Sequence, residues 1–142
     1  MLAAVVIGLA LVCATTIVQA GFMIAGVRFV DWRMTKRDRV RTHLPKAILV
    51  SGFTAWMFTG MLLEALLWAV FYLLQPEITQ LPDLETAIYF SMVTFTSVGY
   101  GDVVLSGNWR VMAAMEAANG VIVFGWTTAL IFHVIQSVYR RR

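Results

Sequence analysis

Residues 83–102 read DLETAIYFSMVTFTSVGYGD, and the fold turns on how this stretch is placed. Pro82 and Asp83 form a helix start, a proline followed by a carboxylate that can accept free backbone amides. Glu85 suits the positive end of the helix dipole. The run Ala87-Ile88-Tyr89-Phe90-Ser91-Met92-Val93 carries the helical pattern to about Thr96, where the chain approaches the breakers Gly99 and Gly101. A helix of about a dozen residues cannot cross a hydrocarbon core of roughly 30 Å. Its apolar character therefore predicts a re-entrant element, which enters a bilayer, stops and turns back. Such an element leaves non-helical backbone at membrane depth, tolerated only where protein encloses it or water lines it.

The flanking sequence supplies the enclosure. Apolar stretches at about Leu2 to Val27, Ala47 to Leu74 and Val111 to Ile135 each exceed the roughly 20 residues a membrane span needs. With 60% hydrophobic and 13% charged residues, the chain is too apolar for a soluble domain of 142 residues. The expected fold is an all-α membrane protein with three transmembrane helices and one re-entrant helix followed by a loop. Val18-Gln19-Ala20 would pass as a signal-peptide cleavage site. That reading is rejected because no positive segment precedes the apolar run, and the run continues to Val27. The single cysteine, Cys13, excludes an intrachain disulfide.

Charge sets the expected orientation. Ten of the eleven lysines and arginines lie between Arg28 and Lys46 or in Arg140 to Arg142. Three alternating spans bring both groups to one side, which the positive-inside rule makes cytoplasmic. The N-terminus is then outside, the C-terminus is inside, and the location is the cell membrane as a multi-pass protein. The basic linker is read as a topology signal with anionic-lipid contact, and nucleic acid is not expected as a partner. Nothing in the chain reads as a nucleophile, a metal cluster or a nucleotide loop, so no enzymatic activity is expected. No span carries a regular ladder of arginines, so a voltage sensor is not expected.

The segment Thr94-Phe95-Thr96-Ser97-Val98-Gly99-Tyr100-Gly101-Asp102 resembles the potassium-channel signature, in which Thr-Val-Gly-Tyr-Gly forms the selectivity filter. The likeness extends over about Ala47 to Ile135, including Trp109-Arg110, Gly120, Phe124-Gly125 and Thr128. It implies a homotetramer in the lipid bilayer that conducts K+ passively, with K+ as permeant ion and no other cofactor. By the same resemblance the filter is Ser97, Val98, Gly99, Tyr100 and Gly101. K+ would meet the carbonyls of Ser97, Val98, Gly99 and Tyr100, and the Ser97 hydroxyl would form the innermost oxygen ring. The side chains of Val98 and Tyr100 would pack behind the filter, and Asp102 would stand at the outer mouth. Tyr89, Phe90, Val93, Thr94 and Thr96 would support the filter. The expected organisation is an N-terminal transmembrane helix at 1–30, a basic cytoplasmic linker at 31–46, a pore domain at 47–138 and a short tail at 139–142. Within the pore domain fall an outer helix at 47–74, a pore helix at 83–96, a filter at 97–102 and an inner helix at 110–138.

Two features depart from the family pattern. Ser97 stands where threonine is usual, and Tyr89 and Phe90 replace a pair of tryptophans. Phe90 has no polar atom to donate to Tyr100, so a weaker or a rearranged brace is expected. The first helix has no counterpart in the minimal two-helix module. Electrostatics points to cations independently of the motif, because Gln75 to Asn108 holds Glu77, Asp83, Glu85 and Asp102 and no lysine or arginine.

The candidates for gating or a hinge are Glu64, Glu116, Gly120, Gly125 and His133. The two glutamates fall inside spans and read as buried structural carboxyls, with a gating sensor as the other reading. Gly120 and Gly125 fit either a hinge or close helix packing. His43 and His133 lie near span ends and read as interfacial histidines with no regulatory role, with a proton gate as the other reading. Asn119 and Thr128 are candidates to face an aqueous cavity.

Overall fold

A hydrophobic chain in lipid must satisfy its own backbone, and here it does so almost entirely as helix. The computed structural model describes residues 2–36 and 43–140. It contains α1 (Leu2–Lys36), α2 (His43–Leu73), α3 (Leu84–Phe95) and α4 (Trp109–Arg140), with no strand among the described residues. Three of these, α1, α2 and α4, are long and apolar enough to cross a membrane, and α3 is the short one. The expected all-α membrane fold is therefore the observed one. Both helices bordering the basic linker run further than expected, α1 to Lys36 and α2 from His43. Linker residues 37–42 and the side chain of His43 lie outside the described residues.

The core forms around α2. Its face of Met61, Ala65, Trp68, Ala69 and Tyr72 packs against Ala87, Phe90 and Phe95 of α3 and Met112 and Val123 of α4. Ile78, Leu81 and Leu105, from the two connecting loops, close the same cluster. Gln80 Nε2 donates to Ser106 Oγ at 2.8 Å and ties those loops together. A second cluster joins Val30 of α1, Phe53 and Met57 of α2, and Val134 and Val138 of α4 at the other end of the bundle. There Lys46 Nζ stands 5.7 Å from the Tyr139 ring centroid.

Lipid removes most of the hydrophobic drive between helices, so small residues and hydrogen bonds decide how α1 docks. A Cβ added at Gly60 would lie 3.0 Å from both Gln19 Oε1 and Phe22 Cγ, and one at Gly26 would lie 2.7 Å from Phe53 Cε2. These close approaches run antiparallel along α1 and α2. Trp56 Nε1 adds a bond to the Phe22 carbonyl at 2.9 Å. Against α4 the pairing is parallel: Asn119 Nδ2 donates to Thr15 Oγ1 at 2.8 Å, and Gln19 Nε2 donates to Thr127 Oγ1 at 2.7 Å. Asn119 is therefore buried against α1, which corrects the expectation that it faces a cavity. Thr128, its neighbour in that expectation, is exposed.

Substituting Gln19 by leucine keeps the bulk and removes one of the two polar ties to α4. Interhelical bonds in membranes are worth about 0.6 to 2 kcal/mol. The variant is expected to unfold at a lower temperature in detergent. Combined with Thr127→Val it should lose less than the sum of the two single effects, which thermal melts of the four proteins would measure.

Candidate pore loop and its support

The pore loop begins with a well-capped helix. Asp83, extended at φ −143°, accepts a bond from the Thr86 amide at 2.8 Å, and this holds its carboxyl below the usual range. The buried face of α3, Ala87, Phe90, Ser91 and Phe95, keys into α2 and α4. At its end the Thr96 amide and hydroxyl both bond to the Met92 carbonyl, at 3.1 and 2.7 Å.

Beyond Thr96 the backbone folds back on the helix it has just left. The amides of Val98 and Gly99 donate to the Val93 carbonyl at 3.0 and 3.2 Å, and the Ser97 amide donates to Thr94 at 2.9 Å. Carbonyls that end a helix without partners are thus satisfied by the loop. Ser97, Gly99 and Gly101 take φ of 58°, 54° and 79°, while the intervening Val98 and Tyr100 do not enter that region. The two glycines occupy it without a steric penalty, as their spacing predicts. Ser97 is the unforeseen third member, at an order of 1–2 kcal/mol of strain for a residue with a Cβ. Its hydroxyl is directed at the Ala117 carbonyl, 3.5 Å away.

Residues 96–102 are exposed in the single chain, and Val98 and Tyr100 are 53% and 72% exposed. The expected packing of these two side chains behind the filter is not made within one chain.

The brace is rearranged, as the Tyr89-Phe90 pair implies. Tyr89 Oη donates to Asp102 Oδ2 at 2.6 Å, linking the middle of α3 to the residue after the filter motif. Asp102 Oδ1 accepts from the Val103 amide at 3.0 Å. The Tyr89 bond is the largest cause lowering the Asp102 carboxyl from its usual range, and the same bond raises the Tyr89 hydroxyl from its own. Phe90 does something else, packing edge-on against Tyr72 at 5.5 Å to anchor α3 in the core.

The region from the middle of α2 through most of α4 is what comparison with known proteins picks out. Residues 58–137, more than half of the chain, match a family profile described as ion channel. The chain belongs to this ion-channel family, which shares the potassium-channel pore domain. No curated protein and no solved structure matches the chain. The matched region leaves out α1 and the first half of α2, and runs from Phe58 through α3 and the loop after it to Ser137.

The remaining candidates separate by position. A Cβ on Gly120 would overlap the Phe95 carbonyl oxygen and stand 2.8 Å from its carbon, so Gly120 serves close packing of α4 on the end of α3. Gly125 has no neighbouring atom within 4 Å of where a Cβ would stand. Glu116 is buried beside the hydroxyls of Tyr72 and Ser91, Glu64 is buried on α2, and the carboxyl oxygens of both are without a hydrogen-bond partner. His133 is exposed and lines an apolar groove with Ala20, Met23, Ile24, Trp126, Ala129 and Leu130. Sequence reasoning did not find the partners Thr15, Gln19, Tyr72 and Ser91. They carry no motif, and only three-dimensional contact pairs them with α3 and α4.

Two outcomes follow. Gly120→Ala is expected to displace the end of α3 and abolish conduction, whereas Gly125→Ala is accommodated; ion flux from reconstituted protein distinguishes them. Tyr89→Phe is expected to make the open loop collapse several-fold faster, read as decay of flux with time. Because the Asp102 carboxyl is lowered, the brace is fully present above the ordinary aspartate range and is lost as pH falls through the lowered value. Acid should therefore accelerate decay in the native chain and leave Tyr89→Phe unaffected.

Proposed function

We propose that the chain is one subunit of a potassium-selective channel whose conducting path is completed by four copies around a common axis. The carrying observation is the pore loop itself, in which left-handed angles at Ser97, Gly99 and Gly101 alternate with ordinary ones. Alternation of this kind turns successive carbonyls to one side of the strand. A row of carbonyls can replace the water around K+ only if other chains bring their rows to the same ion, and the family's arrangement uses four. The exposure of Val98 and Tyr100 supports the same reading, because side chains left bare at the pore loop need a neighbouring copy to cover them.

Charge favours cations and sets the sidedness of the reading. The acidic residues Glu77, Asp83, Glu85 and Asp102 lie around the loop, with Asp102 held by Tyr89 next to the filter. Repeated four times, they raise the local cation concentration at the mouth. The cations Arg28, Arg33, Lys46 and Arg140 belong to the ends of the spans farthest from the loop. By the positive-inside rule that arrangement supports a reading with the loop outside, both basic groups in the cytoplasm against anionic lipid, and the N-terminus outside.

Purified protein in liposomes is expected to pass K+ far faster than Na+. Gly99→Ala forces a Cβ onto a backbone at φ 54° and should abolish the K+ flux. Equal K+ and Na+ permeability would defeat the selectivity, and cross-linking that stops short of four subunits would defeat the stoichiometry.

A further inference from the structure

In the core between α2, α3 and α4, polar groups from the three helices meet. Tyr72 of α2, Ser91 of α3 and Glu116 of α4 are all buried. The hydroxyls of Tyr72 and Ser91 are the polar groups that face the Glu116 carboxyl, yet no oxygen of the three is in closed hydrogen-bond geometry with any partner. Among the described residues no ion pair reaches this carboxyl, and Arg110 on the same helix is exposed. A carboxyl shut away from water is costly unless hydrogen-bonded, and two O–H donors are the groups within reach to satisfy it.

The cluster is placed to control the height and rotation of α3. Tyr72 also presses its ring on Phe90, the residue before Ser91, and packs against Trp68 at 5.9 Å. One turn along α4 from Glu116, Gly120 seats that helix on the Phe95 carbonyl. Glu116 and Gly120 thus back the stretch of α3 whose Val93 and Thr94 carbonyls hold the first three amides of the pore loop. The geometry points to Glu116 as a positioning residue for the pore loop, acting through Ser91 and Tyr72 on α3 and not touching the ion. This deepens the channel reading and rests on it.

The test compares the full chain in liposomes with Glu116→Leu, Glu116→Gln, Ser91→Ala and Tyr72→Phe. Hydrogen–deuterium exchange over residues 91–99 is read beside the K+/Na+ permeability ratio. Glu116→Leu and Ser91→Ala should each speed exchange about tenfold, as loss of a buried hydrogen-bonding partner implies, and should lower the ratio several-fold. Their double variant should be no more than about twofold worse than either single one, because both break the same link. Glu116→Gln, which keeps an acceptor and a donor, should stay within about twofold of the native protein. Exchange unchanged in Glu116→Leu, or single effects that multiply in the double variant, would overturn the assignment. If Glu116→Leu fails to assemble, Ser91→Ala and Tyr72→Phe decide alone: exchange must rise over 91–99 and stay constant in α1. Unselective flux from the native chain would count against the channel reading, while the exchange comparison would still judge Glu116.

Discussion

Backbone that leaves a helix within a membrane has to find partners for every amide and carbonyl, and that demand organises this molecule. The first amides after Thr96 return to Val93 and Thr94, so the loop satisfies the helix end and the helix end fixes the start of the loop. Its far end is fixed by the Tyr89 bond to Asp102. Among the described residues no amide reaches the carbonyls between these anchors. The loop is held at its two ends and left open between them.

An anchor is only as rigid as the helix that carries it, and α3 has just twelve residues. Its stability comes from burial, with Phe90 and Phe95 wedged against α2 and α4 in the main core. Gly120 matters because it has no side chain: any Cβ there would push α4 off the Phe95 carbonyl. Lipid supplies little hydrophobic drive for such contacts, so close approach and a few hydrogen bonds carry more of the specificity than in a soluble core.

The parts read most directly from sequence were those governed by local rules. Span length fixed α1, α2 and α4, the Pro82-Asp83 signal located the start of α3, and two glycines marked where the loop needs left-handed angles. The replacement of tryptophans by Tyr89 and Phe90 announced a changed brace, though not that Tyr89 would find Asp102. Ser97 escaped because serine has no special claim to a positive φ, and only the return bonds to Val93 and Thr94 impose it. Asn119 was misplaced because helix rotation is invisible in a stretch that is apolar nearly all round. Its partner Thr15 lies more than a hundred residues away in a helix the pore module does not require.

That extra helix changes what α4 is free to do. Glu116, Asn119 and Gly120 fix the half of α4 nearest the loop against α2, α3 and α1, so a bend at Gly120 would have to tear it from Phe95. Gly125 is the next glycine and has open space around it. The two ties to α1 fall on either side of it, Thr15 with Asn119 before and Gln19 with Thr127 after. A bend confined to Gly125 alters the distance between Asn119 and Thr127, while Thr15 and Gln19 stay one helical turn apart on a straight α1. Either α1 follows α4 as the far end moves, or one tie breaks, so displacement of α4 beyond Gly125 is coupled to a helix outside the matched pore region.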